Sequence, residues 1–212
     1  MLFRSHYIHG VGVDEQRYTP ATAEEKAAIR KELGFGEDQK LILCIGELLP
    51  NKNQTMAIRM MAEVVKTYPD AQLLLAGNGP EKENLEQAIA DNGMENNVRM
   101  LGYCTCLEKY QKAVDLLVSC SKREGLPLNI VEAMLSANPV VASKNRGHCE
   151  LIEDGTTGYL VEVNDVPDMA EKVLSLLADA EKLQEMGSQG RAFAENYGFT
   201  TVKKELEQIY FG

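Results

Sequence analysis

Two glutamates, Glu124 and Glu132, stand with seven residues between them in "REGLPLNIVEAM" (123–134), and the second lies in a run otherwise apolar enough for a core. A carboxylate there costs free energy unless it is hydrogen-bonded, so it asks for a partner. A retaining glycosidase pair would sit roughly 5 Å apart across one bond. Pro127 suits the first position of a helix, which leaves Glu124 in the preceding loop and Glu132 about one and a half turns further in. A rise of about 1.5 Å per residue then puts the two acids about 10 Å apart, a spacing for reading two places on an extended ligand. The unpaired N–H groups of Leu128 and Asn129 at such a helix start, with the helix dipole, favour a phosphate between them. Sugar hydroxyls would satisfy the acids. The plainer alternative is a solvated Glu124 and a Glu132 paired with a nearby Lys or Arg, and this stretch alone leaves both open.

The elements that must hold these residues are legible around them. Short apolar runs, "LILCIG" (41–46), "QLLLAG" (72–77), "VRMLG" (98–102), "VDLLVSC" (114–120), "PVVAS" (139–143) and "GYLVEV" (158–163), alternate with helical patterns. Strands this apolar indicate a parallel sheet covered on both faces. The expected fold is α/β: one Rossmann-like, doubly wound parallel sheet of about six strands, with ligands bound at the strands' carboxyl ends. Pro80 and Gly93 bracket a helix. A last pair of helical patterns from Val166 onward is expected to break near Gly187 and at "NYG" (196–198). Met56, Met60 and Met61 keep helical spacing and read as core.

Composition narrows the class. A hydrophobic share of 44% in 212 residues supports a substantial core. No run reaches the ~18 apolar residues of a membrane span, and the first ten residues lack a signal peptide's apolar segment, so a cytoplasmic protein is expected. The five cysteines read as free, mostly buried thiols, and the lone Cys104-x-Cys106 lacks the partners of a zinc site, so no metal is expected. A net charge of −10 argues against nucleic acid. Residues 120–150 nevertheless carry four basic against three acidic side chains, leaving room for a small anionic ligand. The three histidines, His6, His9 and His148, are isolated and read as surface or loop residues; for His148, in the "RGHCE" turn, a structural contact is expected ahead of a polar contact to a sugar.

Together the motifs resemble the C-terminal, donor-binding half of the retaining glycosyltransferases of the GT-B fold, family GT4. The residues that carry the resemblance are Glu124-x7-Glu132, "AMLSANPVVAS", "GHCELIEDGTTGYLV", "GELLPNKNQ", "GNGPEKENLE" and "IHGVGVDEQRYTP", in family order from about Ile8 to Tyr210. "GELLPNKNQ" and "SKNRGHCEL" look most like branches that build capsular or exopolysaccharides. The resemblance implies a nucleotide-diphospho-sugar, such as a UDP- or GDP-sugar, as substrate, with no cofactor and no metal. It assigns Glu132 to the ribose hydroxyls, Glu124 to the transferred sugar, and the amides of Leu128 and Asn129 to the diphosphate. Lys52 would neutralise the leaving group, Gly46 belongs to the phosphate loop, and Gly102 and Tyr103 line the base. It also implies that residues 1–13 are the remnant of an interdomain linker and 14–212 the nucleotide-sugar-binding domain. The helix over 199–211 would pack toward an acceptor-binding N-terminal domain that is missing here.

Several positions depart from that family. Glu47 stands where an arginine commonly meets the phosphates, and Arg123 or Arg146 is expected to supply the cation instead. Pro127 replaces a glycine, removing one N–H, and Asn138 replaces the glycine before "PVV". The chain reads as a fragment, inactive in transfer by itself, whose full-length enzyme could associate with a membrane surface. Its last helix would either leave Val202, Leu206, Ile209, Tyr210 and Phe211 partly exposed or pack them on this domain's own core, the commoner fate of such a stripe. Two other classes fit the same signals: one half of a nucleotide-sugar epimerase, and a non-catalytic nucleotide-binding scaffold.

Overall fold

The computed structural model describes residues 6–211. Six parallel strands, β1 (Leu41–Ile45), β2 (Gln72–Ala76), β3 (Val98–Gly102), β4 (Leu116–Ser119), β5 (Val140–Ser143) and β6 (Tyr159–Val161), form one sheet in the order β3-β2-β1-β4-β5-β6. Each of the six apolar runs became one strand. The chain winds outward from β1 to β3, returns to place β4 on β1's other side, and winds outward again. The reversal opens a crevice beyond the carboxyl ends of β1 and β4.

Alternation along the strands divides the core. Ile42 and Cys44 of β1 face a layer holding Met56, Met60, Met61 and Val173, whereas Leu41 and Leu43 face one holding Ile130, Val131 and Met134. The first layer comes from α2 (Gln54–Val64), α3 (Lys82–Asp91) and α7 (Val166–Ala178). The second comes from α4 (Leu107–Ala113), α5 (Leu128–Leu135) and the end of α8 (Ala180–Ala194). The methionines are core, as their spacing indicates. Ahead of the sheet, α1 (Ala23–Glu32) starts at a capping box between Thr22 and Glu25 and packs on α4.

The helical tail differs from its sequence reading. The break falls at Asp179, which ends α7 and caps α8 by accepting from Lys182 N–H, while Gly187 lies inside α8 and is buried. A Cβ at Gly187 would overlap the Ala137 carbonyl. The glycine thus serves close approach and not interruption. At "NYG" the chain does turn, through a 3-10 segment over Glu195–Tyr197, before α9 (Phe199–Phe211). On α9 Val202 is buried, Leu206 and Ile209 are half-buried and Tyr210 and Phe211 are exposed, so the stripe divides between the two expectations. Of the expected linker, residues 1–5 lie outside the described residues. Residues 9–13 dock on the other end of the chain: Val13 N–H donates to Tyr197 O, Phe199 N–H to Val13 O, and His9 pairs with Glu205 at 2.6 Å. Among the described residues no helix is long and apolar enough to cross a membrane.

At the rim opposite the crevice, Asp115 accepts from Lys26 Nζ at 2.7 Å, Arg30 Nη2 at 2.7 Å and Leu41 N–H at 2.9 Å. Buried Arg30 also donates to the carbonyls of Ala113 and Gln39. Removing one member of such a cluster strands a buried charge. Asp115→Ala is therefore expected to destabilise the domain by about 3–5 kcal/mol, measured by urea unfolding.

Candidate functional site

Two loops meet over the crevice. The first follows β1, from Gly46 to Asn53, and the second follows β4, from Cys120 to Pro127. They are laced by Lys122 N–H to Asn51 O at 2.8 Å and Asn51 Nδ2 to Arg123 O at 2.9 Å. Gln54 folds back to donate to Glu47 O at 3.0 Å, and Asn53 takes a left-handed conformation, φ 55°, at the start of α2. This lacing brings Lys52 and Glu124 together as an ion pair at 2.5 Å, both largely shielded from water. The sequence indicated each residue but not their contact.

Beneath Glu124 lies α6 (Arg146–Leu151), pressed close because residue 147 is glycine. A Cβ there would come within 2.5 Å of Gly125 O and 2.8 Å of Glu124 Cβ. A second glycine of this kind is Gly77, φ 149°, whose added Cβ would overlap Gly46 O and part the loops after β1 and β2. Sequence reasoning passed over both, since a close approach leaves no mark in a single sequence.

The helix α5 begins at Leu128, with Pro127 as its cap and not its first residue. The N–H groups of Leu128 and Asn129 have no acceptor among the described residues, and Asn129 Nδ2 anchors the helix start to Ile45 O at 2.9 Å. Free amides here and the ammonium of Lys52 make the crevice a place for an anion. Beside it, a cavity of about 450 Å³ is lined by Gly46, Glu47, Gly77, Asn78, Tyr103 and Leu107, among others. Tyr103 stands 78% exposed over it, and Gly102, φ 68°, turns the chain there and accepts from Gly77 N–H.

Glu132 is half-buried on α5. Burial raises its pKa above the ordinary 4.5, opposed by the nearby Tyr18 hydroxyl and the charge of Arg17, and reinforced by Glu108. The Lys or Arg ion pair considered from sequence alone does not form among the described residues: Arg17 is held instead by Glu108 at 2.8 Å. Tyr18 and Arg17 come from the segment before α1, which the sequence gave no reason to place here. Arg123 is exposed with no ion-pair partner among the described residues, whereas Arg146 reaches Glu150 at 3.3 Å. Glu47 is exposed and likewise unpaired among the described residues.

His148 has the structural place its turn indicated, but in the interior. It is fully buried, with Nδ1 2.5 Å from Ser143 O and Nε2 3.1 Å from Ser119 Oγ. Burial lowers its pKa, opposed by the Ser143 carbonyl and Glu124. The cysteines are all free, but only Cys44 and Cys120 are buried: Cys104 is intermediate, and Cys106 and Cys149 are exposed. Their apolar sequence neighbours did not carry them into the core.

The fold and the crevice define a Rossmann-like domain of the GT-B glycosyltransferase type. The chain belongs to the family of glycosyl transferases group 1, whose model matches residues 25–193. It is similar to EpsD of Bacillus subtilis, 31% identical over 207 residues, covering 98% of this chain and 54% of that protein. It is also similar to the GDP-mannose-dependent monoacylated alpha-(1-6)-phosphatidylinositol monomannoside mannosyltransferase of Corynebacterium glutamicum, 34% identical over 197 residues, covering 87% and 50%. Among solved structures, HepE of Anabaena in complex with UDP superposes with a TM-score of 0.85 at 27% identity, covering 93% of this chain and 55% of that one. The chain spans about half the length of the curated relatives it matches.

The raised pKa of Glu132 has a stability consequence. Between the unfolded and folded values only the folded state holds the proton, so stability falls as pH rises through that window. Glu132→Gln is therefore expected to melt above the wild type at neutral pH, with the gap closing as pH falls below the ordinary 4.5. Thermal melts across pH check this.

Proposed function

We propose that this chain is the donor-binding domain of a retaining glycosyltransferase and holds a nucleotide-diphospho-sugar across the crevice. The observation that carries the reading is the convergence on one rim of Lys52, Glu124 and the free amides of α5, with Glu132 half-buried on the same helix. Glu132 takes the ribose hydroxyls, exchanging a costly burial for hydrogen bonds. The amides of Leu128 and Asn129 take the diphosphate. Lys52 swings from Glu124 toward the β-phosphate as charge grows on the leaving group, and Glu124, so released, accepts from hydroxyls of the sugar. Stabilising that departing charge is the main catalytic contribution of this half, in a front-face substitution without a metal. The base lies over Tyr103 in the neighbouring cavity, and Gly46 gives the phosphates room beside Lys52.

The relatives' names support this: one is GDP-mannose-dependent and another was solved with UDP. The acceptor side of the cleft would come from a second domain of comparable size, with residues 6–13 as the connection and α9 packing toward it. This chain alone then binds donor and transfers little. A role in surface polysaccharide or glycolipid synthesis, in the cytoplasm and with the whole enzyme at a membrane surface, completes the proposal. Glu47 weakens diphosphate binding relative to an arginine, and Arg123, exposed beside Glu124, compensates in part.

Calorimetry with UDP, GDP and ADP, followed by nucleotide-sugars on the tightest base, tests the reading: binding of one base over the others is expected, and binding of none overturns it. Glu132→Ala is expected to lose about 1–3 kcal/mol of nucleotide affinity, the scale of a charged hydrogen bond. Unchanged affinity would remove the ribose assignment.

A further inference from the structure

His148 is a fully buried ionisable side chain beside the crevice that the proposed chemistry leaves unused. Its surroundings dictate one tautomer. Nδ1 lies 2.5 Å from the Ser143 carbonyl and 2.9 Å from Asn145 Nδ2. The carbonyl can only accept, while the Asn145 amide has the carbonyls of Ser121 and Ser143 to donate to, so the shorter contact decides and Nδ1 carries the proton. Nε2 is then an acceptor, filled by the Ser119 hydroxyl at 3.1 Å. Ser143 ends β5 and Ser119 ends β4, so one imidazole joins the carboxyl ends of two neighbouring strands. The same junction is closed from above: Ser143 Oγ donates to Ser121 O at 2.5 Å, and Asn145 Nδ2 to the same carbonyl at 2.9 Å. Asn145 Oδ1 in turn accepts from His148 N–H at 3.1 Å.

What rests on this junction is Glu124. The residue before His148 is Gly147, whose backbone lies against the Cβ and carbonyl of Glu124 and the carbonyl of Gly125. The loop bearing Glu124 leaves β4 directly after Ser119 and Cys120. Glu124 is therefore braced from below by the turn that His148 locks, and from the side by Lys52. When Lys52 moves to the diphosphate, Glu124 loses its side-chain partner, and its backbone rests on the turn below and on the lacing through Asn51.

We infer that His148 is a positioning residue: as a sealed neutral imidazole joining β4 to β5, it holds Glu124 in place for the sugar after Lys52 has left it. The inference rests on the proposed donor site and assigns it a specific division of labour. His148 governs the sugar's share of binding and leaves the nucleotide's share alone, because Glu132 and the amides of α5 hang on a different helix.

The test compares UDP with UDP-glucose, and GDP with GDP-mannose, on the 212-residue chain by calorimetry. His148→Gln and the milder Ser119→Ala, which removes only the Nε2 partner, are each expected to weaken the nucleotide-sugar relative to its nucleoside diphosphate by about fivefold or more. Affinity for the diphosphate itself should stay within about twofold. Should His148→Gln fail to fold, Ser119→Ala decides. An equal loss for both ligands, or no change in the ratio, marks a merely structural histidine and overturns the inference. The imidazole nitrogen spectrum of the unaltered protein gives an independent readout: the Nδ1–H form, with resonances that move on adding the nucleotide-sugar and stay put with the diphosphate. Movement with neither or with both equally also overturns it. If no nucleotide binds the unaltered chain, the donor-site reading itself falls, and this inference falls with it.

Discussion

The ion pair between Lys52 and Glu124 is the constraint on which the crevice depends. The two residues lie on loops from different strands, and each loop by itself is an irregular excursion beyond the sheet. Joined at 2.5 Å, and laced through Asn51, they become one surface. Opposite charges that shield one another from water are stable together and costly apart. Whatever separates them must offer a negative charge to the lysine and hydrogen-bond donors to the carboxylate at once. A diphosphate attached to a sugar does both, and a free inorganic anion does only the first. On the proposed donor reading, the resting ion pair would itself select for the joined ligand.

Glu132 follows the same logic in a milder form. Its half-buried carboxylate is unfavourable in the empty protein, relieved only by Tyr18 and the charge of Arg17. A fold optimised for stability alone would not place it there. The stability given up at this position and the affinity expected from it are two sides of one placement. The opposite rim shows the contrast: Asp115, with Lys26, Arg30 and the Leu41 amide all satisfied, lies away from the crevice and serves the fold.

The six strands could be read from sequence because a sheet covered on both faces needs nearly continuous apolar segments, and "LILCI" or "QLLLA" admits little else. The acids of the crevice were visible for the converse reason, a charge in an apolar run. Contacts between distant segments were not visible. That Lys52 meets Glu124, that Tyr18 reaches Glu132, and that His148 is sealed under a loop all depend on how loops of different strands settle, which carries no local period. Gly187 misled because a glycine in a helical pattern marks either an end or a close approach, and only the neighbouring Ala137 carbonyl distinguishes them.

Gly10 carries one more consequence. It lies against the end of the Leu126 side chain, where an added methyl group would displace the leucine, and three residues later Val13 is hydrogen-bonded to both sides of the turn before α9. The chain's entry is therefore wedged between its exit and the very loop that bears Glu124. Any swivel of a body attached ahead of residue 10 would act like a key in a lock, shifting Leu126 and with it the carboxylate two residues away. On the proposed two-domain reading, opening and closing would reach Glu124 through this contact, with no need for the faces to touch.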